Sequence, residues 1–548
     1  MRAPGWRWSR LAWPAGFAIS AVALFLLYLF QSSRTTTVNS DGASNALQGW
    51  AMLHGNVLLH GWTVSDVSFY TTELPQYVLV EAIRGLSPNV VHICGAMTYT
   101  LLVLLAAWLA MGREAPGRTK LAAGAVTAGI MLAPQLGNPT DMLLLSPDHV
   151  GTGVPLLVAW LLVDRTRQPD REKEPGWRRW LVPVAVGLIL AWTAVGDQLA
   201  EVIGALPLAL TCGLRVLWAR FRPSGTGQRA PLRDSWYELS LGTAAVLSVP
   251  AAWLGVKLIS ALGGWSITAP RSGLAAPGVL GRNAALTGSG ILQLFGAGFS
   301  SQQSAAQTAF AVIHLTGLAL AAWALCLAMR RFFAQQLLVQ LLGVAIVVNI
   351  AAYIVTVQAE SIATTREIAA VLPFGAVLAG RLLPQTLAAR RPAHATGRLS
   401  PVWVAAGGLL LASYAVMLGY NASRPPAPGQ VANLASWLAA HHLTRGLGGY
   451  WQSNSVTLDS NDTVQVRAIA INEGKLTTAP YWEASSAWYD AQNSYANFIV
   501  NAPPAWHPHA PGVLVNQMEA IAGKPAKIYH IRGYTIAVWR QNLLSRLG

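Results

Sequence analysis

Charge is scarce in this chain. Of its 548 residues only 11% are Asp, Glu, Lys or Arg, 53% are apolar, and the mean hydropathy is +0.40. That balance excludes a water-soluble globular protein of this size. Cysteine is nearly missing as well. Cys94, Cys212 and Cys326 all fall inside apolar runs, so no disulfide framework is expected. Lysine is rare, with six against 32 arginines, and this bias together with abundant alanine fits a GC-rich genome and a bacterial plasma membrane. No internal repeat or low-complexity segment stands out. The formal net charge of +15 sits in short loops between apolar runs, which is a membrane-topology signal. No nucleic-acid partner is expected; the lipid bilayer is.

Runs of sixteen or more mostly apolar residues mark the spans, since about 20 helical residues cross a hydrocarbon core of ~30 Å. They fall at about 13–31, 90–111, 121–136, 150–163, 180–196, 199–218, 237–262, 310–329, 337–357, 368–383 and 400–419, and predict a polytopic α-helical membrane protein of about eleven transmembrane helices. Gly196-Asp197-Gln198 reads as a tight, solvated turn between the fifth and sixth, because an Asp within the bilayer is costly. One alternating set of loops, from Arg2–Arg10 to Arg381–Arg398, holds 23 of the 38 basic residues. The other set, outside the C-terminal tail, holds Arg34, Arg84, Arg271, Arg282 and Arg366. The positive-inside rule then predicts a cytoplasmic N-terminus, a retained first span, and an extracytoplasmic tail.

The scarce carboxylates cluster on the predicted external side, at span ends and loop starts: Asp41, Asp66, Glu73, Glu81, Asp141, Asp148, Asp197, Glu201, Glu360 and Glu367. Ionisable groups at such depths point to function, although some cap helices or pair with a neighbouring Arg. The first external loop, 32–89, reads as structured. Apolar positions 43, 46, 47, 50 and 53 recur at helical spacing, and Ser40 or Asp41 is the expected N-cap of an amphipathic interfacial helix that stops at His54-Gly55-Asn56.

An external Asp directly after span 1, followed by the stretch DGASNALQGWAMLHGNVLLHGW (41–62), many spans and an external C-terminal domain, resembles the GT-C membrane glycosyltransferases. These include the protein mannosyltransferases, the aminoarabinose transferases and the actinobacterial arabinosyltransferases. The likeness covers roughly 10–420 and rests on few motifs. It implies transfer of a sugar, with inversion, from a polyprenyl-phosphate donor to an acceptor hydroxyl on a glycan, lipid or protein at the external face. It also implies that Asp41 is the general base and Asp148, in Ser146-Pro147-Asp148-His149, the second acid, which either orients the acceptor or helps hold a divalent cation. No cofactor is otherwise indicated.

A poor hydroxyl nucleophile needs a carboxylate within reach to take its proton; a cap is the structural alternative for Asp41. His149 is a candidate for the donor phosphate or, through a neutral nitrogen, for a metal. Arg366, a basic residue against the positive-inside trend, suits a bidentate phosphate contact, unless Glu360 or Glu367 neutralises it. Lys257, Arg271 and Arg282 are lesser phosphate candidates. Glu73 and His54 complete the substrate-binding set, with His60 and Asp141 weaker. The loop 263–309 either gates the donor cleft or is flexible filler; its glycines open no nucleotide-binding helix. A transporter or a noncatalytic envelope-assembly protein is the alternative, although no pair of broken helices in matching halves supports transport.

After the Pro-rich linker at Asn421–Gly429, residues 421–548 read as a soluble α/β domain. A helix is expected at 431–443, with strands at 464–471 and 496–500 and a strand pair over 527–540 turning at Arg532-Gly533. Tyr450, Trp451, Tyr481, Trp482, Trp488, Tyr489 and Trp506 either stack on sugars or fill its core.

Overall fold

The structure, a computed structural model, describes residues 8–113, 117–145, 149–165, 179–221, 235–268, 272–299, 303–389, 401–426, 429, 431–478, 482–502 and 513–547. A helical bundle carries most of the chain. Its helices are α1 (Trp8–Thr35), α2 (Ser40–Leu53), α3 (Leu74–Arg84), α4 (Asn89–Met111), α5 (Gly117–Met131), α6 (Asn138–Leu144), α7 (Val150–Arg165), α8 (Leu181–Gly196), α9 (Leu206–Phe221), α10 (Trp236–Ala261), α11 (Leu280–Leu294), α12 (Ala305–Arg330), α13 (Leu337–Val355), α14 (Val371–Ala389) and α15 (Pro401–Ala422). Among the described residues seven helical segments are long and apolar enough to cross a membrane. The other four expected spans coincide with α5, α7, α8 and α15, of which the first three have only 15 or 16 residues. Eleven helices therefore stand where spans were expected, and among the described residues seven of them combine the length and the apolarity of a crossing.

The segment between α1 and α4 is folded in place. Asn39, one position before the expected cap, accepts a hydrogen bond from Gly42 N at 2.9 Å and caps α2. Asp41 thus lies in the first turn with its carboxylate free of the capping role. Gly55, at φ +98°, follows the last turn. Helix α2 is not half-immersed in an interface; residues 42–49 are buried. It is pressed against α3 so closely that a Cβ on Gly49 would lie 2.9 Å from Tyr77 Cβ and 2.8 Å from Glu81 Oε2. The loop 263–309 is not filler either: it holds α11, whose residues Asn283, Thr287, Gly290 and Leu294 form a buried stripe at helical spacing.

The C-terminal domain has helices α16 (Ala432–Ala440), α17 (Tyr450–Asp459) and α18 (Val515–Ala522) around a six-stranded mixed sheet. Three further short strands, β1 (Trp62–Val64), β2 (Ser266–Ile267) and β6 (Ala484–Ser485), form a separate small sheet. The six-stranded sheet comprises β3 (Arg445–Gly448), β4 (Gln465–Asn472), β5 (Lys475–Thr478), β7 (Phe498–Asn501), β8 (Lys527–Ile531) and β9 (Tyr534–Val538), in the order β5-β4-β3-β7-β9-β8. The expected strand pair is the β8–β9 hairpin, turning through Arg532 and Gly533, both at positive φ. Apolar side chains from α16, α17 and the sheet, among them Leu438, Val456, Val466 and Phe498, form the domain core.

The small sheet β2-β1-β6 matters most for the site. Strand β1 from the first loop pairs in parallel with β2 and antiparallel with β6 of the C-terminal domain. Trp62 and Trp488 meet edge to face across this junction, and Arg467 lies 3.9 Å over the Trp488 ring. These contacts carry Glu483 and Asp66, which flank the paired strands, toward the same region. Far from it, where α4 and α7 end and α13 begins, Arg381 of α14 is buried against Asp164 and donates to Leu109 O. Counted as a loop cation on sequence, Arg381 sits inside the helix bundle.

Candidate active site

Asp41 is held from the C-terminal domain. Tyr450, the first residue of α17, puts its hydroxyl 2.5 Å from Asp41 Oδ1 and 2.5 Å from Glu483 Oε2. Ser40 Oγ donates to Tyr450 O at 2.6 Å, which fixes the start of α17 against the start of α2. Glu483 is 2% exposed and has φ +50°, a left-handed conformation rare for a side chain of this size. Burial pushes its carboxyl well above the usual range; the Asp41 carboxylate adds to this, while Tyr450 and Arg366 oppose it. Arg366 therefore lies near enough to Glu483 to act on it, and so does Asp66.

Asp66 joins this group to a second one. It is half-buried, and burial raises its carboxyl pKa; His149 and Arg366 pull it down and Glu367 pushes it up. His149 lies at the mouth of α7 with both ring nitrogens engaged: Nδ1 is 2.9 Å from Asp197 Oδ2 and Nε2 is 3.1 Å from Glu367 Oε1. Burial alone would lower its pKa, but Asp197 and Glu367 together hold it well above the ordinary histidine value, so the ring is an imidazolium. Asp197 also accepts from Thr152 Oγ1 and from Leu199 N. The expectation of a solvated hairpin tip fails here: Asp197 is 1% exposed, and it is tolerated because a buried cation and two further donors satisfy it. Its sequence context looked like a turn because it is one; the partner 48 residues away was not legible.

These residues border a cavity of about 330 Å³ lined by Asp66, His149, Asp197, Asn349, Tyr353 and Glu367, among others. Ser272 and Gly273, from the loop expected to gate a cleft, also line it. Arg366 is on the 3₁₀ turn Ala363–Ile368, next to Glu367. Glu73 is buried at the start of α3, and its carboxylate lies across the first turn of α7, where a Cβ on Gly151 would overlap Oε1. A carboxylate in that position complements the helix N-terminus.

Other candidates stand apart. His54 is exposed, caps α2, and packs on Trp50 with centroids 4.2 Å apart and ring planes tilted by 52°. His60 is tied to Gly263 O at 2.7 Å, holding the first loop to the end of α10. Lys257 is exposed on α10, 5.6 Å over the Trp253 ring. Glu360 is exposed, and its carbonyl accepts from Arg282 at 2.6 Å. Asp141 is exposed in the first turn of α6. Asp148 and Arg271 lie outside the described residues, as do Tyr481 and Trp506. Among the described residues no group of three or more His, Cys, Asp or Glu is arranged to hold a metal ion. With both nitrogens committed to carboxylates, His149 is not the neutral ligand such an ion would require. Sequence reasoning missed Tyr450 and Glu483 as members of the Asp41 cluster, and it weighed Asp66 only as one external acid among ten.

No family model matches the chain, and no curated protein matches it. Its fold is similar to that of ArnT from Cupriavidus metallidurans. The apo structure aligns at 14% identity and a TM-score of 0.50, and the structure bound to undecaprenyl phosphate at 13% and 0.51; each alignment covers 98% of this chain and 99% of the other. The oligosaccharyltransferase AglB of Archaeoglobus fulgidus, solved with an inhibitory peptide and a dolichol-phosphate, aligns at 13% identity and a TM-score of 0.48, over 90% of this chain and 70% of its own. At 13–14% identity the likeness to ArnT is one of fold, and it extends over nearly the whole of both chains.

Proposed function

We propose, proceeding from the ArnT-like fold of this chain and its resemblance to the GT-C enzymes, that it is an inverting glycosyltransferase. It takes a sugar from a polyprenyl-phosphate donor at the extracytoplasmic face of a bacterial plasma membrane. The observation that carries this reading is that Asp41 and Arg366 both act on Glu483 while Arg366 and His149 both act on Asp66, so that Arg366 links groups from three widely separated parts of the sequence. A carboxylate connected through Glu483 and Asp66 to two fixed cations suits the reaction. The ArnT structure with undecaprenyl phosphate supports a leaving group of that chemical class.

In the proposed step Asp41 accepts the proton of an acceptor hydroxyl as its oxygen forms a bond to the anomeric carbon. The bond from that carbon to the phosphate oxygen breaks, and its electron pair stays with the phosphate. The lipid phosphate leaves with one more negative charge, which Arg366 and the His149 imidazolium stabilise. Arg366 offers the planar donor pair a phosphate prefers. Asp197 and Glu367 keep His149 charged at neutral pH. The basic-loop alternation supports an orientation with Asp41 and the C-terminal domain outside.

The test is sugar transfer in proteoliposomes from radiolabelled undecaprenyl-phosphoryl mannose, arabinose and aminoarabinose to endogenous membrane acceptors. Asp41→Asn lowers transfer at least about 100-fold, the usual contribution of a general base, while leaving the thermal unfolding midpoint unchanged. Unchanged transfer by this variant sinks the assignment.

A further inference from the structure

The hydroxyl of Tyr450 is equidistant, at 2.5 Å, from the Asp41 and Glu483 carboxyls. A phenol has one proton and can donate only one of these two bonds. The second short contact requires another proton on the group. Tyr450 keeps its own, because burial and both carboxyls raise its pKa. Of the two acids, Asp41 is partly open to solvent and Glu483 is 2% exposed. The charged groups that face Glu483 are Asp41 on α2, Asp66 after β1, and Arg366 on the 3₁₀ turn, and the two acids oppose its ionisation. The additional proton belongs on Glu483.

We infer that Tyr450 and Glu483 of the C-terminal domain are positioning residues for Asp41, with Glu483 working as a neutral acid that donates to Tyr450 Oη while Tyr450 donates to the Asp41 carboxylate. This rests on the reading of Asp41 as the base. The chain of two bonds orients the Asp41 carboxyl from behind and leaves its other oxygen for the acceptor proton. The backbone around it is built for that purpose. Ser44 Oγ and Asn454 Nδ2 donate to Glu483 O at 3.3 and 3.4 Å, and the β6–β1 pairing that starts at Ala484 holds Glu483 at its positive φ. The C-terminal domain thereby completes the catalytic end of the bundle, whatever else it binds.

Two measurements on the full-length protein decide this. In infrared difference spectra between wild type and Glu483→Gln at neutral pH, a protonated-carboxyl stretch belongs to the wild type; its absence overturns the inference regardless of activity. In the transfer assay with the three radiolabelled undecaprenyl-phosphoryl sugars, Glu483→Gln, whose amide still donates to Tyr450, keeps activity within about threefold. Glu483→Ala and Tyr450→Phe lose about tenfold in kcat, the worth of one hydrogen bond, with donor KM little changed. If Glu483→Gln is as impaired as Glu483→Ala at equal thermal stability, Glu483 is needed as a carboxylate and the inference falls. If wild type transfers none of the three sugars while the infrared band is present and lost in Glu483→Gln, the neutral Glu483 stands and the glycosyltransferase reading is what fails.

Discussion

His149 and Asp197 are 48 residues apart in sequence and form a buried ion pair at 2.9 Å, with side-chain exposures of 6% and 1%. Breaking one side of such a pair strands the other charge. Asp197→Ala is expected to cost about 3–5 kcal/mol, read as a drop in the thermal unfolding midpoint in detergent. The pH dependence follows from the two directions. The raised His149 contributes fully below 6.5, and this is lost as pH rises through its folded-state value; the depressed Asp197 contributes fully above 3.8, and this is lost as pH falls through its own. The pair is therefore at full strength between about 3.8 and 6.5, and Asp197→Ala removes the decline on the acidic side and reduces that on the alkaline side, where Glu367 still faces His149.

Arg366 separates charge from geometry. Arg366→Lys keeps the positive charge beside Asp66 and Glu483 but loses the planar fork. A loss of about tenfold in transfer with a raised donor KM is expected, with Arg366→Ala about tenfold worse. Equal activity of the Lys and wild-type proteins rules out a bidentate phosphate contact.

Gly151 and Glu73 occupy one space. A methyl on Gly151 overlaps the Glu73 carboxylate, so Gly151→Ala destabilises by about 1–3 kcal/mol. Combining it with Glu73→Ala costs less than the sum of the two single changes, because Glu73→Ala removes the carboxylate that the added methyl would meet. Additive midpoints in a double-mutant cycle contradict this packing.

Glu81 is 1% exposed beside Gly49, and burial pushes its carboxyl up to about 9. It is protonated in the fold and ionised in the unfolded chain between about 4.5 and 9, so stability falls as pH rises through that interval. At pH 7 the difference is about 3 kcal/mol. Glu81→Gln abolishes this slope in unfolding midpoints measured from pH 5 to 9; a parallel slope in both proteins refutes it.

Much of the architecture follows from local chemistry. Apolar runs require helices because lipid offers the backbone no hydrogen-bond partner, and helices stand at all eleven expected positions. The β8–β9 hairpin was legible from Arg532-Gly533, and the α2 helix from its apolar spacing. The cap was misplaced by one residue, since Asn39, Ser40 and Asp41 all have the chemistry of a cap and only backbone geometry chooses among them.

The candidate site divides along the same line. Scarcity and placement at the external span ends, joined to the GT-C resemblance for Asp41 and to the positive-inside trend for Arg366, singled out Asp41, His149 and Arg366, because an ionisable group near a bilayer costs free energy. Which of them meet, and through whom, depended on pairings between distant segments: β1 with β6, α2 with α17, and the mouth of α7 with the turn after α8. Those contacts bring Tyr450 and Glu483 to Asp41, and Asp197 to His149. No spacing rule in the sequence encodes them, since hydrogen bonds and ion pairs act over a few ångströms of space and not over any fixed number of residues.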